Sequence, residues 1–556
     1  MRVLLALACL AFAGAASALE TAREFAASGA PHLALARVEQ LQPRHRGAAQ
    51  WAEWEALRLA LLVDLGRHGE ALRRAADLPA DVDRPALRQC FVAATRAAVA
   101  AGQGATARAF AARLLWQLET TAEETRAARL LVIESYLAER QGEAAFRAML
   151  RFEQDYRPLE RAVAERFVGR LLDLGLEKEA VNWLAALDDA GPLKLRLRLK
   201  AGLATPDAAI AQARAQLARG GGTEYWQVLE EAAEKQGNSV LRIEALEQRL
   251  HHRDGGRPRR GQSLAVALWQ AYSKEAQAAA NQNRLLQGDD AAWLDFAARR
   301  LGASPPQARA LFAHLARSGA TRETRFGAQL QLVFSLYQGG LDYTALNLFG
   351  EERAVAEALD PQVRLLLGNI AESRHLPNLA ARYWQGLGAP PGIGAEEWQV
   401  RIATVQWRAG GREAAAGTMR ALLKRAGALP DAATSRALAL AREMHDAGKP
   451  DLAEEIVEAL LPLASDVRAR DILYALGEFA QSAARFAPAA ERFLRAALAS
   501  GSQPADALAL QARLAAARNL ARAGYRDDAR AQYRWLLKHA KDPAQVETAQ
   551  RELARL

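Results

Sequence analysis

Apolar residues recur along this chain at the three- and four-residue spacing of amphipathic helices, and short turn signals interrupt them on a regular schedule. In LQLVFSLYQGGLDYTALNLFGE, Val333, Tyr337, Leu341 and Ala345 fall at helical intervals on either side of Gly340. The stretch predicts two helices joined by a tight turn. A glycine followed five residues later by an alanine marks the same turn elsewhere: Gly66 with Ala71, Gly102 with Ala107, Gly175 with Ala180, Gly340 with Ala345, Gly410 with Ala415, Gly448 with Ala453 and Gly524 with Ala529. Three registers keep the alanine and replace the glycine, namely Arg140 with Ala145, His375 with Ala380 and Arg485 with Ala490. From residue 340 onward the turn positions are 340, 375, 410, 448, 485 and 524, with steps of 35, 35, 38, 37 and 39.

Each position has a physical reason. Glycine ends the first helix because a residue without a β-carbon enters the left-handed cap conformation at no steric cost. Alanine lies where the second helix meets the first, and a larger side chain there would push the two apart. Four residues later comes a bulkier apolar residue on the same face: Phe349, Trp384, Met419, Val457, Leu494 or Tyr533. A two-helix hairpin of this size cannot cover its own apolar stripe, so neighbouring hairpins must stack, which makes the chain a helical solenoid.

These positions resemble the tetratricopeptide repeat. Leu367-Gly368 in a first helix, with Ala380 and Trp384 in the second, match its consensus; Ala403, Ala441 and Ala517 stand where it has a small first-helix residue, and Pro192 at its proline. The resemblance covers most of residues 20–556, with good register at 50–190 and 326–545. It implies an all-α fold, a right-handed α-α superhelix of roughly 13–14 hairpins, whose first helices line a concave face where ligands bind. Carried onto this sequence, the groove positions are Phe334 and Tyr337, Asn369 and Glu372, Thr404 and Trp407, Arg442 and His445, Phe479 and Ser482, and Arg518. Aromatic, arginine and amide groups together suit an extended peptide or a sugar polymer. A one-residue error in register would exchange groove for core.

Between Gly202 and Gly302 the register degrades. Those two glycines are followed by alanine at the sixth residue, Ala208 and Ala308, and the Gly237 repeat has no alanine at either spacing. The segment HHRDGGRPRRGQ, residues 251–262, reads as an arginine-rich loop with Arg253, Arg257, Arg259 and Arg260 available to an anion or a partner. The expected organisation is therefore a leader at 1–18, one array at 19–250, the basic joint at 251–262 and a second array at 263–556.

The first residues, MRVLLALACLAFAGAASALE, combine a basic start, a short apolar run and small residues before an expected cut after Ala18. They read as a secretory signal peptide that directs the chain to a periplasm-type compartment. The apolar run is shorter than the roughly 20 residues that span a bilayer, so the mature chain is expected to carry no membrane-spanning segment. After cleavage one cysteine remains, Cys90, in an apolar run, and no internal disulfide is possible. A hydrophobic content of 51% with 25% charged residues describes a folded chain. The net charge of +9 would draw it toward anionic envelope polymers or acidic surfaces. Nucleic acid is not an expected partner of an exported chain.

Catalytic signatures are missing from the pattern. No histidine stands one helical turn from a cysteine or another histidine, and His251, His252 and Asp254 on a flexible loop converge poorly on a metal. There is neither a G-x-S-x-G elbow nor a phosphate-binding G-x-x-x-x-G-K-[ST] loop. Exported α-superhelices also occur in lytic transglycosylases, but Glu134-Ser135 lies in an ordinary first helix and no lysozyme-like domain accompanies it. The expectation is a scaffold without cofactors that binds envelope proteins during exopolysaccharide, outer-membrane or pilus assembly. The alternative is direct binding of an anionic glycan or peptidoglycan in the groove.

Overall fold

The computed structural model describes residues 18–48, 50–79, 82–252, 264–349, 359–499 and 506–556, and all regular structure among them is helical. Residues 253–262 of the expected basic loop, with Arg253, Arg257, Arg259 and Arg260, and residues 1–17 of the leader lie outside the described residues. The chain divides into two compact units, the first ending at Gln236 and the second beginning at Gly237.

In the first unit, helices Trp51–Asp64 and His68–Ala76, Arg84–Ala100 and Gly104–Gln117, and Ala122–Ala138 and Gly142–Asp155 form successive hairpins. The second unit ends in a longer run: Pro361–Ser373 with Pro377–Trp384, Ala395–Arg408 with Arg412–Arg425, Asp431–Asp446 with Pro450–Leu460, Asp466–Ser482 with Phe486–Leu498, and Ala507–Arg522 with Arg526–His539. Each first helix packs on its own partner and each hairpin on the next, so the units are stacked-hairpin α-solenoids.

The turn glycines of the ladder adopt positive φ between 70° and 89°, and Arg140 and His375 take the same left-handed conformation at 57° and 56°. At Gly410 the bonds Gly411 N–H to Gln406 O and Gly410 N–H to Trp407 O, both 2.9 Å, close the helix end. The second-helix alanines from Ala71 to Ala529, leaving aside the Arg485 repeat, are at most 1% exposed, as the close approach of paired helices requires.

The Arg485 repeat departs from the expected register by one residue. Ala484, at φ 57°, takes the left-handed position, with Ala484 N–H bonded to Gln481 O (3.0 Å) and Arg485 N–H to Ala480 O (2.9 Å). Counting from Ala484 puts Ala489 and Phe493, rather than Ala490 and Leu494, at the contact positions. It also puts Gly477 where Gly368 stands in its own repeat. A β-carbon on Gly477 would come 2.7 Å from the Phe493 ring, and one on Gly368 would overlap the Trp384 indole. The close approach of backbone to aromatic ring sets this register.

The stretch expected to be irregular is organised differently. Gly202 is left-handed, but the buried alanine is Ala209, not Ala208; Gly302 lies inside helix Asp290–Ala303, while Ala308 is buried. Helix Ser239–His251 packs on the next helix, Leu264–Asn283, and also on the more distant Pro305–Ser318 and Asp342–Leu348. Thr344 Oγ1 donates to Glu247 O (2.6 Å) and Asn347 Nδ2 to Leu250 O (3.1 Å), each across 97 residues. Cys90 is fully buried, and desolvation pushes its thiol pKa up to about 12, as suits a core thiol.

Candidate functional site

Helix Arg322–Gln338 turns Ala328, Leu332, Val333, Ser335 and Leu336 into the core. Its opposite side carries Phe326, Leu330, Phe334 and Tyr337, spaced i, i+4, i+8 and i+11 within one narrow stripe. Phe334 is 47% exposed and Tyr337 43%. Beneath the start of the stripe lies an open cleft of about 670 Å³, walled by Phe326, Gly327 and Leu330 on this helix and by Pro361 and Gln362 on the next first helix. The Arg322 guanidinium sits over the Phe326 ring at 4.8 Å. Phe334 and Tyr337 are thus both exposed to solvent.

Farther along, the expected groove residues separate. Asn369 is exposed, while Glu372 is half-buried and accepts from Arg401 Nη2 at 2.7 Å. The Thr404 hydroxyl turns back to Val400 O (2.8 Å). Trp407 and Phe479 are core residues, 8% and 4% exposed. For Phe479 the cause is the one-residue shift, which puts Glu478 and Gln481 on the open face instead of Phe479 and Ser482. His445 stacks on Phe479, with centroids 4.4 Å apart and planes within 5°, and its Nε2 lies 2.9 Å from Ser482 Oγ.

The arginines of this face are paired. Arg442 Nη2 donates to Glu478 (3.2 Å), and Arg518 Nη2 to Glu552 (2.7 Å), which also accepts from the Tyr533 hydroxyl (2.6 Å). The hydrogen bond to Glu552 raises the Arg518 pKa further. Such pairs recur one repeat apart through both units. Arg196 to Glu231, Arg408 to Glu443 and Arg420 to Glu455 span 35 residues, and Arg470 to Asp506 spans 36. Each ties a helix to its counterpart in the adjacent hairpin. This lateral pairing was not read from the sequence, although a search for arginine and carboxylate 34–36 residues apart would have found it.

A second cleft on this face, about 400 Å³, lies between Asp431–Asp446 and Asp466–Ser482. Leu438, Tyr474 and Leu508 are its apolar lining and Ser435, Arg442 and Arg468 its polar rim. Burial raises the Tyr474 pKa. At the start of the second unit, His251 packs edge-on against His252 (4.9 Å) and Tyr343 (5.6 Å), and burial holds its imidazole below the ordinary pKa. Among the described residues no group of three or more His, Cys, Asp and Glu could hold a metal ion, and no helix is long and apolar enough to cross a membrane.

No protein-family model matches the chain, and no curated protein matches it. Among solved structures it is similar to the APC/C hetero-tetramer Cut9–Hcn1, at 12% identity, over 90% of this chain and 95% of that one, with a TM-score of 0.28. It is also similar to the pentatricopeptide repeat protein PPR10 from maize, at 13% identity, over 98% and 88%, with a TM-score of 0.30. Naa15/Naa10 bound to HypK-THB matches at 12% identity, over 97% and 96%, with a TM-score of 0.20. With scores this low, the architecture rests on the helices, turns and packing of the chain itself.

Proposed function

We propose that this chain is a non-enzymatic exported scaffold that organises a cell-envelope assembly through protein–protein contacts. The observation that carries this reading is the stripe Phe326, Leu330, Phe334 and Tyr337 beside its open cleft. Phe334 and Tyr337 stand exposed beside the half-buried Phe326 and Leu330, on a helix whose other face serves the core, and such a patch suits the apolar face of a partner segment.

Export is supported by the basic, apolar and small-residue order of residues 1–18. Leu19, the first residue after the expected cut, is 2% exposed in the first hydrophobic cluster, so a processed chain would retain its packed start. The partners expected are proteins of exopolysaccharide export, outer-membrane assembly or pilus machinery. Glycan binding in the same groove is less well supported, because Arg442 and Arg518 already hold carboxylates and Trp407 is buried.

A photo-crosslinking residue placed at Phe334 in cells should yield a discrete protein adduct that Tyr337→Asp abolishes. Val467, also exposed on a first helix, is the control position. Adducts absent at Phe334, or identical at Val467, would refute the scaffold reading of this face. Terminal sequencing of the cellular protein tests export: a chain beginning at Leu19 agrees with it, and one retaining Met1 in the cytoplasmic fraction does not.

A further inference from the structure

The first unit contains a cleft of different chemistry, about 450 Å³, framed by helices Pro31–Leu41, Trp51–Asp64 and His68–Ala76. Glu55, 1% exposed, lies at its base. Arg74 grips the Glu55 carboxylate with Nε and Nη2, both at 2.6 Å, and Gln42 Nε2 adds a third bond at 2.6 Å. Arg58 donates to Glu39 at 3.2 Å, and Arg46 pairs with Asp77. Those bonds engage all three carboxylates of the lining.

Arg44 and Arg73 also line the cleft and are exposed, and neither has a carboxylate partner among the described residues. Five guanidinium groups therefore face three carboxylates, which leaves two positive charges uncompensated within one concavity. Arg58 Nε is in addition buried without an acceptor. Low-dielectric walls concentrate the potential of such a site, and unmatched donors require an acceptor-rich ligand.

We propose that this cleft binds a phosphomonoester. That group carries about two negative charges near pH 7 and three acceptor oxygens, which matches the two charges left over; one carboxylate would leave one of them unmatched. Guanidinium forks meet phosphate oxygens in bidentate geometry, so Arg44 and Arg73 close on the ligand while Arg74 and Arg58 stay with Glu55 and Glu39. The same chemistry is presented by a soluble phosphorylated molecule and by a phosphatidate headgroup at a membrane surface.

The test is calorimetric titration of the full chain with phenyl phosphate at low ionic strength, beside the same titration with benzoate. Saturable binding of phenyl phosphate is expected, with affinity lowered at least about tenfold by Arg44→Gln/Arg73→Gln. It should be unchanged by Lys538→Gln/Lys541→Gln, a comparable loss of exposed charge elsewhere. Both arginines are exposed, and melting curves check that the double variant folds; each single variant should lose part of the affinity. Absent binding, equal binding of benzoate, or full affinity in the folded double variant would overturn the proposal. Co-sedimentation with phosphatidylcholine vesicles containing phosphatidic acid, lost in the double variant, assigns the headgroup as source. Phenyl phosphate binding without co-sedimentation assigns a soluble ester.

Discussion

Glu247 and Arg309 form a buried ion pair between residues 62 apart in the chain, 1% and 5% exposed. Arg309 Nε meets Glu247 Oε1 at 2.7 Å, and the Tyr272 hydroxyl donates to the same oxygen at 2.6 Å. Burial pushes the Glu247 carboxyl above its ordinary pKa, and these donors oppose that shift. The pair lies among the helices where the 35-residue rhythm fails, and it joins segments that no nearest-neighbour stack would connect.

Arg309→Met should therefore destabilise the second unit by about 3–5 kcal/mol, because it strands a buried carboxylate. Glu247→Leu combined with Arg309→Met should recover most of that loss. Urea unfolding followed by circular dichroism measures both, and a double variant as unstable as the single would argue against the pair as the cause.

Gly477, in a first helix, and Gly417, in a second, should respond in opposite directions to an added methyl. Gly477→Ala should cost about 1–3 kcal/mol, because the added carbon meets Phe493. Gly417 is exposed in the interior of helix Arg412–Arg425 with nothing within 4 Å, so Gly417→Ala should stabilise by up to about 1 kcal/mol. Thermal melts of the two variants with opposite shifts are expected; matching signs would remove the packing account of Gly477.

Groove and core should be separable by alanine substitution. Trp407→Ala and Phe479→Ala should each destabilise by about 3–5 kcal/mol, whereas Phe334→Ala and Tyr337→Ala should stay within about 0.5 kcal/mol. With the crosslinking residue at position 334, the adduct yield should fall with Tyr337→Ala and not with Trp407→Ala or Phe479→Ala.

Acid stability should depend on Asp506. Its side chain accepts from Arg470 Nη2 (2.8 Å) and from Ala509 N–H (2.7 Å), and the Arg470 hydrogen bond leads the lowering of its pKa below 3.8. A folded-state pKa below the unfolded one gives stability that is whole above the ordinary carboxylate range and lost as pH falls through the lower, folded value. Arg470→Met should remove part of the advantage at neutral pH and flatten the acid limb of a melting-temperature profile. An unchanged acid limb would show that Arg470 does not set this carboxylate.

Cys90 should resist alkylation in the folded chain. With its thiol buried and its pKa pushed up to about 12, the Cys90 peptide should gain iodoacetamide only on unfolding, as read by mass spectrometry. Rapid labelling under native conditions would place it outside the core.

The hinge ladder was legible because each of its residues answers a local demand. A left-handed turn needs glycine or tolerates few alternatives, and a tight helix crossing needs alanine; both demands are written in residue type and spacing. Near Arg485 the local rule was satisfied twice, by Ala484 with Ala489 and by Arg485 with Ala490, and the misreading carried Phe479 and Ser482 with it. The charge excess was legible only as a total, since pairing depends on which arginine faces which carboxylate in the next hairpin.

The sequence by itself determined an all-helical chain of repeated hairpins, the turns of the regular glycine–alanine ladder and the small residues that let helices touch, because these are short-range steric requirements. Tertiary structure alone decided which of two alanines closes the Ala484 turn, since Gly477 must lie against Phe493. It alone paired Arg442 and Arg518 with carboxylates one repeat away while leaving Arg44 and Arg73 without one among the described residues. It alone joined Glu247 to Arg309 and to the Asp342–Leu348 helix. Those outcomes depend on through-space distance between residues remote in the chain, and a repeat period carries that information only where the period holds.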